Sequence, residues 1–145
     1  MAQRDTICLL KECDSGIKMG IISINEALQD LQTGEVTRIL QAARQEHEQL
    51  QTECVRLLNS HHDSGKSPSP IAQGMGKIKT TMRMAMANDT SRAAASLITD
   101  GCSMGIKSLH GYLNEYKNAD PQARELAEKL IRIEENLLNK LESYL

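Results

Sequence analysis

"CDSGIK" occupies residues 13–18 and "CSMGIK" residues 102–107, so the pattern C-x-x-G-I-K occurs twice in a chain of 145 residues. What the repeat means depends on what surrounds each copy. Around the first, Ile7, Leu10, Asp14, Ile17, Ile21, Ile24, Leu28 and Leu31 recur at alternating steps of three and four, with Asp14 the one polar member. That spacing is the inward stripe of an amphipathic helix. It predicts helix 1 over about 5–32, ended by Thr33-Gly34. Around the second copy, Ala95, Ile98, Cys102, Ile106, Leu109, Leu113 and Tyr116 predict helix 3 over about 89–117 in the same way.

Each copy opens a pair of helices. Helix 2, about 35–59, carries Val36, Leu40, Ala43, His47, Leu50, Cys54 and Leu57, and His47 alone is strongly polar. Helix 4 starts at "NADP" (118–121), where Asp120 is placed to cap and Pro121 to begin a helix. Its stripe is Ala127, Leu130, Glu134, Leu137, Leu141 and Tyr144, again with one charged position, Glu134. Between the pairs, "SHHDSGKSPSP" (60–70) reads as a loop. Beyond it, Ile71, Met75, Ile78, Met82 and Met86 mark a short amphipathic crossover helix. The expectation is one domain, 1–145, of helix pair 5–59, crossover 60–88 and helix pair 89–145. Gly16 and Gly105 sit inside the repeat. Glycine weakens a helix by about 1 kcal/mol relative to alanine, which close helix–helix approach would explain.

Composition agrees with an all-α chain. Phe and Trp are absent and Tyr occurs three times, so Leu, Ile, Met and Ala must build the core, a helix-forming palette. A net charge of −2 gives no general attraction to nucleic acid or anionic membrane. No apolar run approaches the roughly 20 residues that span a bilayer, and no secretion signal opens the chain. The expected location is the cytoplasm, with Cys8, Cys13, Cys54 and Cys102 as reduced thiols, since no C-x-x-C spacing occurs.

Two helix pairs, a long connection and polar residues inside apolar stripes resemble the ferritin-like superfamily. The order of "ECDSGI" (12–17), "EHEQL" (46–50), "SPIAQGMGKIKTTM" (69–82) and "ITDGCSMGIKSL" (98–109) resembles more closely a small bacterial ferritin-like family of unknown function. The resemblance implies a ferritin-like four-helix bundle of two antiparallel pairs, with a helical crossover between helices 2 and 3. It also implies carboxylates on helices 1 and 3, and Glu-x-x-His on helices 2 and 4, holding two iron or manganese ions. The chain departs from that ligand set. None of His47, His61, His62 and His110 has Glu three residues earlier, helix 4 has no histidine, and the repeat-equivalent of Asp14 is Ser103.

Topology decides which side chains meet. In an up-down-down-up bundle the helix centres face one another, bringing His47 beside Glu134, with Ser103 near that level and Asp14 roughly 6 Å away along helix 1. One transition metal (Fe, Mn or Zn) on His47, Glu134 and Asp14 is one reading of that set; a buried His–Glu hydrogen bond fixing helix register is the other. In an up-down-up-down bundle, residues of helices 1 and 2 are level when their numbers sum to about 67. Cys13 and Cys54 then meet, Cys102 joins them, and three thiols can take zinc or copper(I) or simply pack as small apolar groups.

Between Gly65 and Asn88 the crossover is basic, with Lys66, Lys77, Lys79 and Arg83 its only charges, and Met-rich. It suits a protein partner or a membrane surface, or it caps the bundle. His61 and His62 are expected in the solvent and His110 packed beside helix 3. No nucleotide-binding Gly loop, Ser-His-Asp set or zinc-ribbon spacing occurs. The sequence therefore points to a non-catalytic structural or interaction protein with a degenerate metal centre. The alternative is a protein that binds a single transition metal with weak oxidative activity. A homodimer is expected from the resemblance.

Overall fold

The computed structural model describes residues 2–65 and 89–145. These residues form four α-helices and no strand: α1 (Ala2–Asp30), α2 (Glu35–Ser60), α3 (Thr90–Glu115) and α4 (Pro121–Leu141), with a 3-10 turn at Glu142–Tyr144. The all-α, four-helix expectation holds for them. The amphipathic crossover helix read at Ile71–Met86, and its cations Lys66, Lys77, Lys79 and Arg83, lie outside the described residues.

The helix ends follow from their sequences. Asp89 and Asp120 each cap the helix that follows, accepting hydrogen bonds from the Arg92 N–H (2.9 Å) and the Ala123 N–H (2.8 Å). Pro121, which has no N–H to leave unpaired, opens α4. At the far end of α3, the Arg124 guanidinium donates to the Leu113 carbonyl at 3.2 Å. At the end of α2, His62 takes a left-handed conformation (φ 56°) and Asp63 N–H bonds back to the Leu58 carbonyl. The chain then returns along α1: Asp63 pairs with Lys11 at 3.0 Å, and Gly65 packs against the Asp14 carboxylate and the Lys18 ammonium.

One tie was not visible in the sequence. Asp5 and Thr6, in the first turn of α1, are buried against the turn between α3 and α4. Asp5 Oδ2 accepts from the Asn118 N–H at 3.0 Å, and Thr6 Oγ1 accepts from the Asp120 N–H at 2.8 Å.

Packing follows the stripes. Every stripe position expected on α2 is buried, and on α4 all but the half-buried Tyr144. On α1 the buried face is broader than the stripe and takes in Leu9, Cys13 and Ala27 as well. Helix α1 touches all three other helices and so does α4, so these two meet across the bundle, whereas α2 and α3 make at most marginal contact. The buried apolar residues fall into two clusters. One contains Leu9, Leu10, Ile17, Leu57, Leu126 and Leu130; the other contains Ile24, Leu40, Ile98, Leu137 and Leu141. Each fully buried side chain of this kind stabilises the fold by about 1.5–3 kcal/mol, so both clusters contribute substantially. No described helix is long and apolar enough to cross a membrane.

Candidate functional site

Between the two clusters lies a polar layer. On α2, Leu50 belongs to one cluster and Ala43 to the other; on α4, Leu130 and Leu137 divide in the same way. The residues between them are His47 and Glu134. His47 is wholly buried and Glu134 is 9% exposed. His47 Nε2 lies 2.7 Å from Glu134 Oε1, and His47 Nδ1 lies 2.7 Å from the Ala43 carbonyl oxygen one turn back on α2.

All four helices contribute to this layer. A Cβ built on Gly20 of α1 would fall 2.9 Å from both Cδ2 and Nε2 of His47, so α1 presents bare backbone to the ring. On α3, a Cβ on Gly105 would lie 3.8 Å from Glu134 Oε2, an ordinary contact distance. Cys102, one turn earlier on α3, is buried beside the Glu134 carboxylate. Burial, and then the adjacent Glu134 charge, push the Cys102 thiol well above its ordinary range. It is therefore a thiol, not a thiolate, and a poor ligand or nucleophile.

Electrostatics at His47 are a contest between burial and neighbours. Burial lowers the imidazole pKa. The Glu134 hydrogen bond and charge, the Ala43 carbonyl and Glu46 raise it by more, so it stands above its ordinary value.

The remaining sequence-derived candidates lie elsewhere. Asp14 is fully buried but pairs with Lys18 at 2.7 Å beneath Gly65. The α1 residue against His47 is Gly20, about 9 Å further along the axis. Cys13 and Cys54 share the first cluster, and the Cys54 thiol donates to the Leu10 carbonyl at 3.3 Å. Cys102 belongs to the second cluster, so the structure does not gather the three thiols. Ser103 is exposed, because one residue's rotation around α3 carries it away from the Cys102 side. His62 and His110 are exposed, while His61 is half-buried, its Nε2 3.8 Å from an Asp120 carboxylate oxygen.

Sequence reasoning missed Gly20 and the Cys102–Glu134 contact; Gly105 it singled out only for close helix approach. A signal for the first was present: Gly20 and His47 satisfy the level rule for helices hinged at Thr33-Gly34.

A two-ion carboxylate centre does not fit these residues. Where it needs carboxylates on the first and third helices, this layer has Gly20 and Gly105, and the His47 ring leaves no room for a side chain at the former. Among the described residues, no three His, Cys, Asp or Glu side chains gather in a way that would hold a metal ion. The grooves near Glu46, Glu53, Lys129 and Arg132, and near Arg4 and Cys8, are not lined by His47, Glu134 or Cys102.

Comparison of the chain with known proteins finds no matching family model, no matching curated protein and no matching solved structure.

Proposed function

We propose that this chain is a non-catalytic structural or interaction protein, built as a ferritin-like bundle in which a buried His–Glu pair stands in the place of a metal centre. The observation that carries the reading is the double engagement of His47: Nδ1 meets the Ala43 carbonyl and Nε2 meets Glu134, each at 2.7 Å. Both ring nitrogens are spent within the protein. A metal on either would break one of these bonds. Register specification is the best-attested use of buried polar pairs, and one pair between two apolar clusters fits that use.

The up-down-down-up order is part of the proposal. His47–Glu134 and Glu53–Lys129 (3.3 Å) are matched if α2 and α4 run oppositely. Leu10–Cys54 and Asn25–Arg44 (3.0 Å) are matched if α1 and α2 do. The bonds from Asp5 and Thr6 to the α3–α4 turn put the start of α1 beside the end of α3. In this order the end of α2 and the start of α3 lie at opposite ends of the bundle, as in a ferritin-like fold. Four free cysteines suit a reducing compartment such as the cytoplasm.

Elemental analysis of protein purified from metal-replete medium tests the reading. The expected result is iron, manganese and zinc far below stoichiometric. Stoichiometric metal, lost in His47→Ala or Glu134→Ala, would overturn it. Thermal melts provide a second check, because a ligand that binds only the native state must raise Tm. No rise is expected with excess Fe(II), Mn(II) or Zn(II).

A further inference from the structure

We propose that His47 and Glu134 form a proton-dependent clasp between α2 and α4, which holds the middle of the bundle closed and opens when the one proton they share is lost. The inference deepens the reading above and rests on the pair being free of metal.

The proton count follows from the contacts. A carbonyl oxygen only accepts, so the 2.7 Å contact with Ala43 requires a hydrogen on Nδ1. The 2.7 Å contact between Nε2 and Oε1 also requires one hydrogen, carried by either atom. The pair therefore holds two protons, as imidazolium with carboxylate or as imidazole with carboxylic acid. A third proton leaves the contact itself intact, because Nε2–H still donates to Oε1 and the acid hydrogen sits on Oε2. Removing one is different. A bare Nε2 lone pair then faces a carboxylate oxygen with no donor between them, and attraction becomes repulsion.

The surroundings prevent the pair from relaxing in place. Gly20 leaves no space on its side of the ring, since even a methyl carbon there would sit 2.9 Å away. Turning the ring over would give up the Ala43 bond. The groups that face the pair come from every helix. Helix α1 contributes Gly20, which does not titrate, and α2 contributes Glu46. Helix α3 contributes Cys102, kept protonated by burial beside Glu134, and α4 contributes Glu134 itself. Asp14 and Lys18 pair with each other further along α1. The proton that can leave is the one between His47 and Glu134, and the relief available is separation of α2 from α4.

The sign follows from the raised imidazole. Its unfolded value is 6.5 and its folded value is higher. The clasp's stabilisation is complete below the unfolded value and is lost as pH rises to and through the folded value. Over that interval the opening constant climbs toward tenfold per pH unit, then levels off.

The test uses chelator-treated, full-length protein in which elemental analysis has confirmed that metal is absent. Urea midpoints are measured from about pH 6 to about pH 9 for wild type and Glu134→Gln. In the variant, the amide N–H donates to Nε2 of a neutral His47, so the contact no longer needs an ionisable proton. The expected result is a midpoint that falls with pH in wild type and does not fall in the variant. Parallel profiles, or a flat wild type, would overturn the proposal. Should the variant fail to fold, nitrogen NMR of the His47 ring in wild type decides. Loss of the Nε2 proton must coincide with faster amide exchange around residues 47 and 134, and either change without the other is contrary to the proposal. Metal found at the outset sinks the proposed function instead, a separate and recognisable result.

Discussion

The backbone of Gly20 in α1 lies against the edge of the His47 ring in α2, so close that a single added carbon would come within 2.9 Å of Cδ2 and Nε2. The ring cannot give way, because hydrogen bonds to Ala43 and Glu134 hold it on both sides. Gly16, one turn earlier, is different: a carbon there would meet Leu130 Cδ2 at a comfortable 3.8 Å. Among the helical glycines, the tight point is thus not Gly16 or Gly105 of the repeat but Gly20, outside it. Gly16→Ala should stabilise the protein by up to about 1 kcal/mol through helix propensity. Gly20→Ala should destabilise it by on the order of 1–2 kcal/mol, overlap outweighing the same propensity gain. Urea denaturation of the two variants checks the opposite signs.

His47→Ala removes the partner of a buried carboxylate. The expected loss is about 3–5 kcal/mol, the usual cost of breaking rather than replacing a buried pair. The double replacement His47→Leu with Glu134→Leu should recover most of it, because the layer then joins the clusters on either side. A recovery of less than about 1 kcal/mol would mean that the cost lies in ring packing and not in the orphaned charge. Denaturation midpoints for the single and double variants, with helical content as a control for folding, give the comparison.

Thiol chemistry should distinguish Cys8 from the rest. Cys8 is half-buried beside a surface groove, whereas Cys13, Cys54 and Cys102 are buried. Burial, reinforced by Asp14, pushes the Cys54 thiol up to about 12, and burial pushes Cys13 and Cys102 higher still. An aromatic disulfide reagent should modify one thiol quickly in native protein and the other three only as fast as the protein opens. Mass spectrometry of timed samples identifies the residue.

The tie between the start of α1 and the α3–α4 turn can be cut by single substitutions. Asp5→Ala and Thr6→Ala each leave a backbone N–H of that turn without its partner, at Asn118 and Asp120. Each should lower stability by about 1–2 kcal/mol. The effects should not add, because the two bonds hold one short turn. A double-mutant cycle measures the difference.

Much of this architecture can be read from apolar spacing, because a stripe at steps of three and four has few ways to be buried other than in a helix bundle. Capping chemistry was legible for the same reason: Asp120-Pro121 is a local signal that needs no tertiary information. The nearness of His47 and Glu134 followed from their central positions and their place as polar members of apolar stripes. The rest depended on where side chains are missing. Gly20 carries no hydrophobicity to register in a periodic pattern, yet it fixes the space around the ring. Asp5 and Thr6 look like ordinary residues of an exposed first turn, and their partners lie more than a hundred positions away. The repeat also misdirected the reading of α3, since it matched Ser103 to Asp14 when the buried neighbour of Glu134 is Cys102.

The bonds from Asp5 and Thr6 to residues 118 and 120 also bear on how the molecule comes into being. During synthesis the start of α1 leaves the ribosome long before its partner turn exists, and closing so long a loop is slow. Until α4 emerges, the N-terminal helix pair must wait with one end unanchored and its share of the core uncovered. The turn that opens α4 is therefore the one that locks the start of α1.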